Sequence, residues 1–285
     1  EYGILMRRPV IITGVEGQAG RSAAAYFRAK GFFVIGTDIL DDVTAEVDEY
    51  YQVSRALELS YVPAIVSIIR AKSPVLFLPT VTDELNAVAR AKDEIEALGC
   101  SVFISPADVL DVASDKLKTA RSLESRGIGV PRTLDGAAPA ELAVKELGLP
   151  LLARPVSPRG AGASVVYLSV EEVRGERREG IVFQEFVPGD EFNVILFMGE
   201  DGWVASAVAF KMTAREAGRV VRPEVIELAV GASRALGLTG PLDMDIRLRA
   251  DYTPVLLEIK ARLGASARCA PEILDALLSA LKKRG

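Results

Sequence analysis

The chain has 285 residues, 49% hydrophobic and 26% charged, with a net charge of −5 and no histidine. That length can bury a substantial core and sets two domains as the prior, while scattered basic residues give no reason to expect nucleic acid or an anionic membrane. The missing histidine excludes Ser/His/Asp and Cys/His nucleophiles and every histidine-ligated metal, and two distant cysteines, Cys100 and Cys269, argue against a disulfide framework or zinc site and fit a reducing, cytoplasmic compartment.

Met6 reads as a natural start, with neither signal peptide nor membrane span expected. PVIITG is a buried strand entering a turn with Gly14, Gly17 and Gly20. A helix from about Arg21 to Lys30 follows, then a strand closed by Asp38. This βαβ unit offers a helix N-terminus to an anion and resembles a dinucleotide fingerprint; the alternative is that the glycines only permit a tight crossing. Tyr26 and Lys30 have the Tyr-x-x-x-Lys spacing of a short-chain dehydrogenase but lie on the first helix, out of reach of a nicotinamide, so the spacing is a coincidence. Residues 41–51 form an acidic stretch expected to be solvated. Helices over about 62–72 and 83–98 alternate with strands over 75–79 and 101–105, which implies a parallel sheet covered on both faces. The first domain is expected to end near residue 110.

Beyond Asp111 the pattern changes. SDKLKTARSLESRGIGVPRT is a helix with Ser114 the expected cap, leading through a Gly/Pro-rich turn. LPLLARPV is a strand ending near Arg154, and SPRGAGAS is a loop in which Gly160 and Gly162 allow backbone amides to approach phosphate oxygens beside a fixed cation. IVFQEFV is a strand, FNVILFM and WVASAVAF form a hairpin, PEVIELAVGASRALG is an amphipathic helix, and APEILDALLSALKK is a last helix packed on the core.

Between those helices, residues 240–262 read as a β-hairpin by period-two alternation. Met244, Ile246 and Leu248 face one way in the first arm, and Val255, Leu257 and Ile259 in the second. A turn centred between Asp251 and Tyr252 puts Asp245 opposite Glu258 and Asp243 opposite Lys260. Facing carboxylates destabilise a sheet unless a proton, neighbouring cations or a bound cation compensates, and hard oxygen donors favour Mg2+ or Mn2+. The alternative is a surface ladder neutralised by Arg247, Arg249, Lys260 and Arg262.

In order along the chain, DK (115–116), GIGVPRT (127–133), LPLLARPVSPRGAGAS (149–164), QEFVPGDEFNV (184–194), GLTGPLDMDIRL (237–248) and LLEIKAR (256–262) resemble the signatures of the ATP-grasp superfamily. The branch is the one similar to the large subunit of carbamoyl-phosphate synthase, with some similarity to the ligase of pyrrolysine biosynthesis. Residues 6–110 resemble the Rossmann-like domain that precedes the ATP-grasp module. The resemblance implies an α/β domain followed by an α+β ATP-grasp domain over 111–285, with a nucleotide lobe over about 115–190 and a metal lobe over about 191–285. It also implies ATP and Mg2+ (or Mn2+), an acyl phosphate, and an amide-type bond between a small-molecule carboxylate and an amine, by a protein for which a homodimer is left open. By motif, Lys116 and Arg154 would contact phosphates under the loop of Gly160 and Gly162. Glu185, Phe186 and Val187 would meet adenine and Glu191 the ribose. Asp245 and Glu258 would hold the metal, Arg262 would face the acyl phosphate, and Lys211 would touch phosphate or substrate. Lys260 departs from the pattern, standing where most relatives have a metal-binding Asn. An ATP-binding pseudo-ligase acting as sensor or partner protein therefore stands as an alternative, and an NAD(P)-dependent enzyme as a third. The chain ends soon after the last motif, so synthesis of carbamoyl phosphate itself is not expected.

Overall fold

The computed structural model describes residues 8–157, 164–176, 180–213 and 217–284. Five parallel strands, β1 (Pro9–Thr13), β2 (Phe33–Asp38), β3 (Glu49–Gln52), β4 (Leu76–Leu78) and β5 (Ser101–Val102), lie in the order β3-β2-β1-β4-β5. The run Val10-Ile11-Ile12 is apolar without alternation because both faces of its strand are covered: Ile11 enters one core, Val10 and Ile12 the other. Helices α1 (Gln18–Ala29) and α2 (Tyr61–Lys72) pack on opposite faces. Gly20 lets α1 sit on the turn before it, since a Cβ there would come within 2.2 Å of the Gly14 carbonyl oxygen.

Two local expectations change. The acidic stretch is not solvated throughout: Glu49–Gln52 pairs with β2 as an edge strand, with Tyr50 and Tyr51 half-buried. The helix expected over 83–98 is a 3-10 turn (Thr82–Glu84), where Glu84 turns inward to accept hydrogen bonds from Thr13 Oγ1 and Tyr61 Oη, followed by two short helices, α3 (Leu85–Arg90) and α4 (Lys92–Ala97). After α5 (Ala107–Ala113), α6 (Lys116–Glu124) is capped by Asp115, not Ser114, the Asp115 carboxylate accepting from the Leu117 and Lys118 amides at 2.9 Å.

A small antiparallel sheet follows, built from β6 (Thr133–Asp135), β7 (Leu151–Pro155), β8 (Val165–Tyr167) and β9 (Ile181–Glu185) in the order β6-β9-β7-β8, with α7 (Ala140–Leu147) and α8 (Val170–Arg174). Its core of Ala143, Leu147, Leu151, Val173 and Phe183 is separate from the rest. The larger antiparallel sheet contains β10 (Glu191–Met198), β11 (Val204–Met212), β12 (Ala217–Val220), β13 (Gly240–Leu248) and β14 (Pro254–Lys260), in the order β12-β11-β10-β13-β14. Helix α9 (Pro223–Leu236) covers one face with Val225, Ala229 and Ala232, and α10 (Pro271–Arg284) covers the other with Ile273, Leu274 and Leu277. Both cores continue into the parallel sheet, joining Met244 to Ile11 and Phe210 to Ile12 within one apolar cluster each. Each such large side chain withdrawn from water contributes about 1.5–3 kcal/mol, so the parallel sheet and the larger antiparallel sheet are held as one body.

The Tyr26 and Lys30 pair acquires a structural role. Tyr26 Oη donates to Asp275 Oδ1 at 2.5 Å and Lys30 Nζ to the same oxygen at 2.9 Å, tying α1 to α10. Among the described residues no helix is long and apolar enough to cross a membrane.

Candidate active site

The chemistry converges on the hairpin β13–β14. The register pairs Asp243 with Lys260, Met244 with Ile259 and Asp245 with Glu258, as the sequence argument required. A bulge then intervenes, so that Ile246 faces Leu256 and Leu257 is the extra residue. This corrects the expected alternation beyond Glu258: Leu256 is buried in the core, whereas Leu257 is only half-buried.

Two clusters of charge flank this pair. Glu258 is reached from outside the hairpin by Lys116 of α6, whose Nζ lies 3.0 Å from Oε1, and by Arg154 of β7, whose Nη2 lies 3.1 Å from Oε2. Arg154 is further fixed by Gln184 Oε1 at 3.2 Å and the Leu257 carbonyl at 3.3 Å. Lys116 is buried at the start of its helix; burial pulls its pKa below the ordinary lysine value, and Glu258 acts in the other direction. A phosphate arriving here would meet two preset cations.

The second cluster belongs to the sheet itself. Lys260 Nζ lies 2.7 Å from Asp245 Oδ2 and 3.4 Å from Asp243 Oδ1. Asn193, on β10 beside β13, donates from Nδ2 to Asp243 Oδ1 at 2.8 Å and to Asp245 Oδ1 at 3.1 Å, while its own Oδ1 accepts from Ser266 Oγ at 2.8 Å. Burial opposes the charge of Lys260, but the two aspartates hold its pKa above the ordinary value. Burial raises that of Asp243.

A cavity of about 670 Å³ opens between this cluster and the glycine turn, its wall including Gly14, Gly17, Thr80, Asp245, Lys260 and Arg262. Arg262 crosses between the two halves, its Nε donating to Thr82 Oγ1 at 2.9 Å and its Nη1 to the Leu263 carbonyl at 2.8 Å. Glu84 and Tyr61 also line the cavity, and burial drives both side chains toward their neutral forms.

The other residues singled out from sequence lie along the edges of the two antiparallel sheets. Glu185, nearly buried at the end of β9, is held by Arg132 Nε at 2.6 Å and Arg249 Nη2 at 2.5 Å. Phe186 follows it, and the Val187 carbonyl accepts from Arg247 Nη1 at 3.0 Å. Glu191, at the start of β10, pairs with Arg247 at 2.8 Å. Lys211 pairs with Asp190 at 2.7 Å at the strand edge, and it is the next residue, Met212, that lines the cavity. Gly160 and Gly162 lie outside the described residues. Sequence reasoning missed Asn193, Ser266 and Thr82. Asn193 stands within the motif QEFVPGDEFNV, and its place beside Asp245 follows once β10 is known to pair with β13.

Among the described residues no three acidic or cysteine side chains form a ready metal cage. Asp245 and Glu258 nevertheless present hard oxygens from facing positions, a donor set that fits one Mg2+ or Mn2+ completed by water and phosphate oxygens.

The family model for the ATP-grasp domain matches residues 113–266, more than half of the chain. The D-alanine–D-alanine ligase of Cupriavidus taiwanensis is 26% identical over 199 residues, 60% of this chain and 61% of that protein, so the chain spans less than two thirds of this curated relative. Among solved structures, the L-amino acid ligase of Bacillus licheniformis superposes with a TM-score of 0.73 at 20% identity, covering 97% of this chain and 74% of that one. Biotin carboxylase of Campylobacter jejuni gives 0.72 at 15% identity, covering 97% and 71%. N5-carboxyaminoimidazole ribonucleotide synthetase of Thermotoga maritima gives 0.69 at 19%, covering 93% and 71%. At these identities the structures are similar in fold.

Proposed function

Because the chain belongs to the ATP-grasp family, we propose that it is an ATP-dependent carboxylate-amine ligase acting on a small metabolite in the cytoplasm. The observation that carries this reading is the meeting of Lys116 and Arg154 on Glu258, directly across the hairpin from Asp245. Two cations aimed at one carboxylate of a facing acid pair form a site that can exchange their protein partner for a polyphosphate and its metal.

In this reading Lys116 and Arg154 take the phosphates, the segment Glu185 to Val187 meets adenine, and Glu191 takes the ribose hydroxyls. Gly160 and Gly162 belong to the loop over the phosphates, and Lys211 serves phosphate or substrate from the strand edge. Asp245 and Glu258 would hold Mg2+, which when bound supplies charge neutralisation on the phosphates. The substrate carboxylate enters from the 670 Å³ cavity, and Arg262 steadies the charge that develops there. A carboxylate oxygen attacks the γ-phosphorus and ADP leaves; the amine nitrogen then attacks the acyl carbon, phosphate leaves with the bonding electrons, and the nitrogen gives up its proton. Catalysis of this kind rests on positioning and fixed charge, which requires no histidine.

The test is ADP release with hydroxylamine as the amine, across a panel of amino acids and other small carboxylates. A carboxylate that yields ADP and hydroxamate in equal amounts is the expected result; ATP binding with no turnover on any carboxylate would contradict it. The second reading, an ATP-binding pseudo-ligase, is favoured by Lys260, whose ammonium occupies Asp245 Oδ2 at 2.7 Å.

A further inference from the structure

Asp245 has carboxylates on two sides, Glu258 directly opposite and Asp243 two residues earlier on its own strand. The hairpin thus offers two adjacent carboxylate pairs, Asp245–Glu258 and Asp243–Asp245, although among the described residues no three of these acids form a ready cage. One of the two positions is filled by the protein. Lys260 Nζ reaches both Asp243 and Asp245, at 3.4 Å and 2.7 Å. The Asn193 amide nitrogen reaches the same two carboxylates, and the Asn193 oxygen, the one atom of that side chain able to face a cation, accepts from Ser266. Asp243 Oδ2 is seated against Gly264, where a Cβ would come within 1.5 Å, and Asp243 is only 4% exposed. The groups that Lys260 and Asn193 turn toward the Asp243–Asp245 pair are N–H donors, and an ammonium offers no lone pair to a metal. The Asp245–Glu258 pair differs, since its outside partners come from α6 and β7.

We propose that Lys260 is a built-in substitute for a second divalent ion, so that each nucleotide is bound with one metal, held between Asp245 and Glu258. This deepens the ATP reading above and rests on it. Lys260 also lines the cavity beside Arg262, so its charge stands where the reacting carboxylate enters, independent of the metal concentration. Asn193, Ser266 and Gly264 act as positioning residues that hold Asp243 to receive it.

The test counts ions by manganese electron paramagnetic resonance on the full chain with a non-hydrolysable imido analogue of ATP, while calorimetry counts bound nucleotide. The wild-type protein should hold one Mn2+ per nucleotide, and Lys260→Asn, which exchanges the ammonium for a ligating oxygen, should hold two. Lys260→Met, with neither charge nor ligand, should keep one ion and lose about tenfold in nucleotide affinity, the loss of one charge-assisted contact. Two ions in the wild type, one ion in Lys260→Asn, or unchanged affinity in Lys260→Met would overturn the proposal while leaving the ATP reading standing. A wild-type chain that binds no nucleotide at all would overturn both.

Discussion

The two charge clusters on the hairpin differ in where their partners come from. Glu258 is neutralised by Lys116 and Arg154, which arrive from α6 and from the small sheet, whereas Asp243 and Asp245 share the charge of Lys260 and the hydrogen bonds of the Asn193 amide, from the two strands that flank β13. Partners brought by separate elements can release the carboxylate when a stronger anion and its metal arrive. Partners on the strands paired with β13 are carried with the aspartates in one sheet. The same contrast runs through the cores: the small sheet has its own, and the larger sheet shares two with the parallel sheet.

Breaking the exchangeable cluster should have the largest effect. Lys116→Met is expected to lower carboxylate-dependent ADP release by about 10²- to 10³-fold, the usual range for one preorganised electrostatic contact, while leaving thermal unfolding nearly unchanged; a loss below about threefold would detach Lys116 from phosphate binding. The fixed cluster should answer in stability instead. Gly264→Ala drives a methyl into Asp243 Oδ2 and is expected to cost about 1–3 kcal/mol of unfolding free energy, the range for overpacking, measured by urea titration.

The smallest effect concerns the tie between α1 and α10. Burial opposes ionisation of Asp275, but Tyr26 and Lys30 hold its carboxyl below the ordinary range. A depressed folded-state pKa contributes stability above the unfolded value of about 4 and loses it as pH falls through the folded one. Asp275 is half-exposed, which limits the contribution to less than about 1 kcal/mol. Asp275→Asn should therefore lower stability slightly at pH 7 and flatten its decline at acid pH, read from urea midpoints between pH 3 and 7.

The hairpin's register was legible because it depends on short-range periodicity. The turn position alone put Asp245 opposite Glu258 and Asp243 opposite Lys260. The bulge at Leu257 was not legible, since Val255, Leu256 and Leu257 are all apolar and either of the last two could face the core. Asn193, Ser266 and Gly264 carry no local pattern; their roles arise when β10 and the segment after β14 close on Asp243. The Tyr26 and Lys30 spacing gives no hint of their partner: Asp275 lies 249 residues from Tyr26, and only the fold joins them. Glu84 carries no local mark of burial, and the Thr13 and Tyr61 hydroxyls that enclose it come from elsewhere in the chain.

The glycine turn and Asp38, read alone, suggest NAD(P) where the ATP-grasp family implies ATP. Titration calorimetry of the wild-type chain with ATP and with NADPH, each in the presence of Mg2+, sets the two against one another. The account predicts saturable heat with ATP, abolished by Lys116→Met, and none with NADPH. Binding of NADPH with no response to ATP would contradict it.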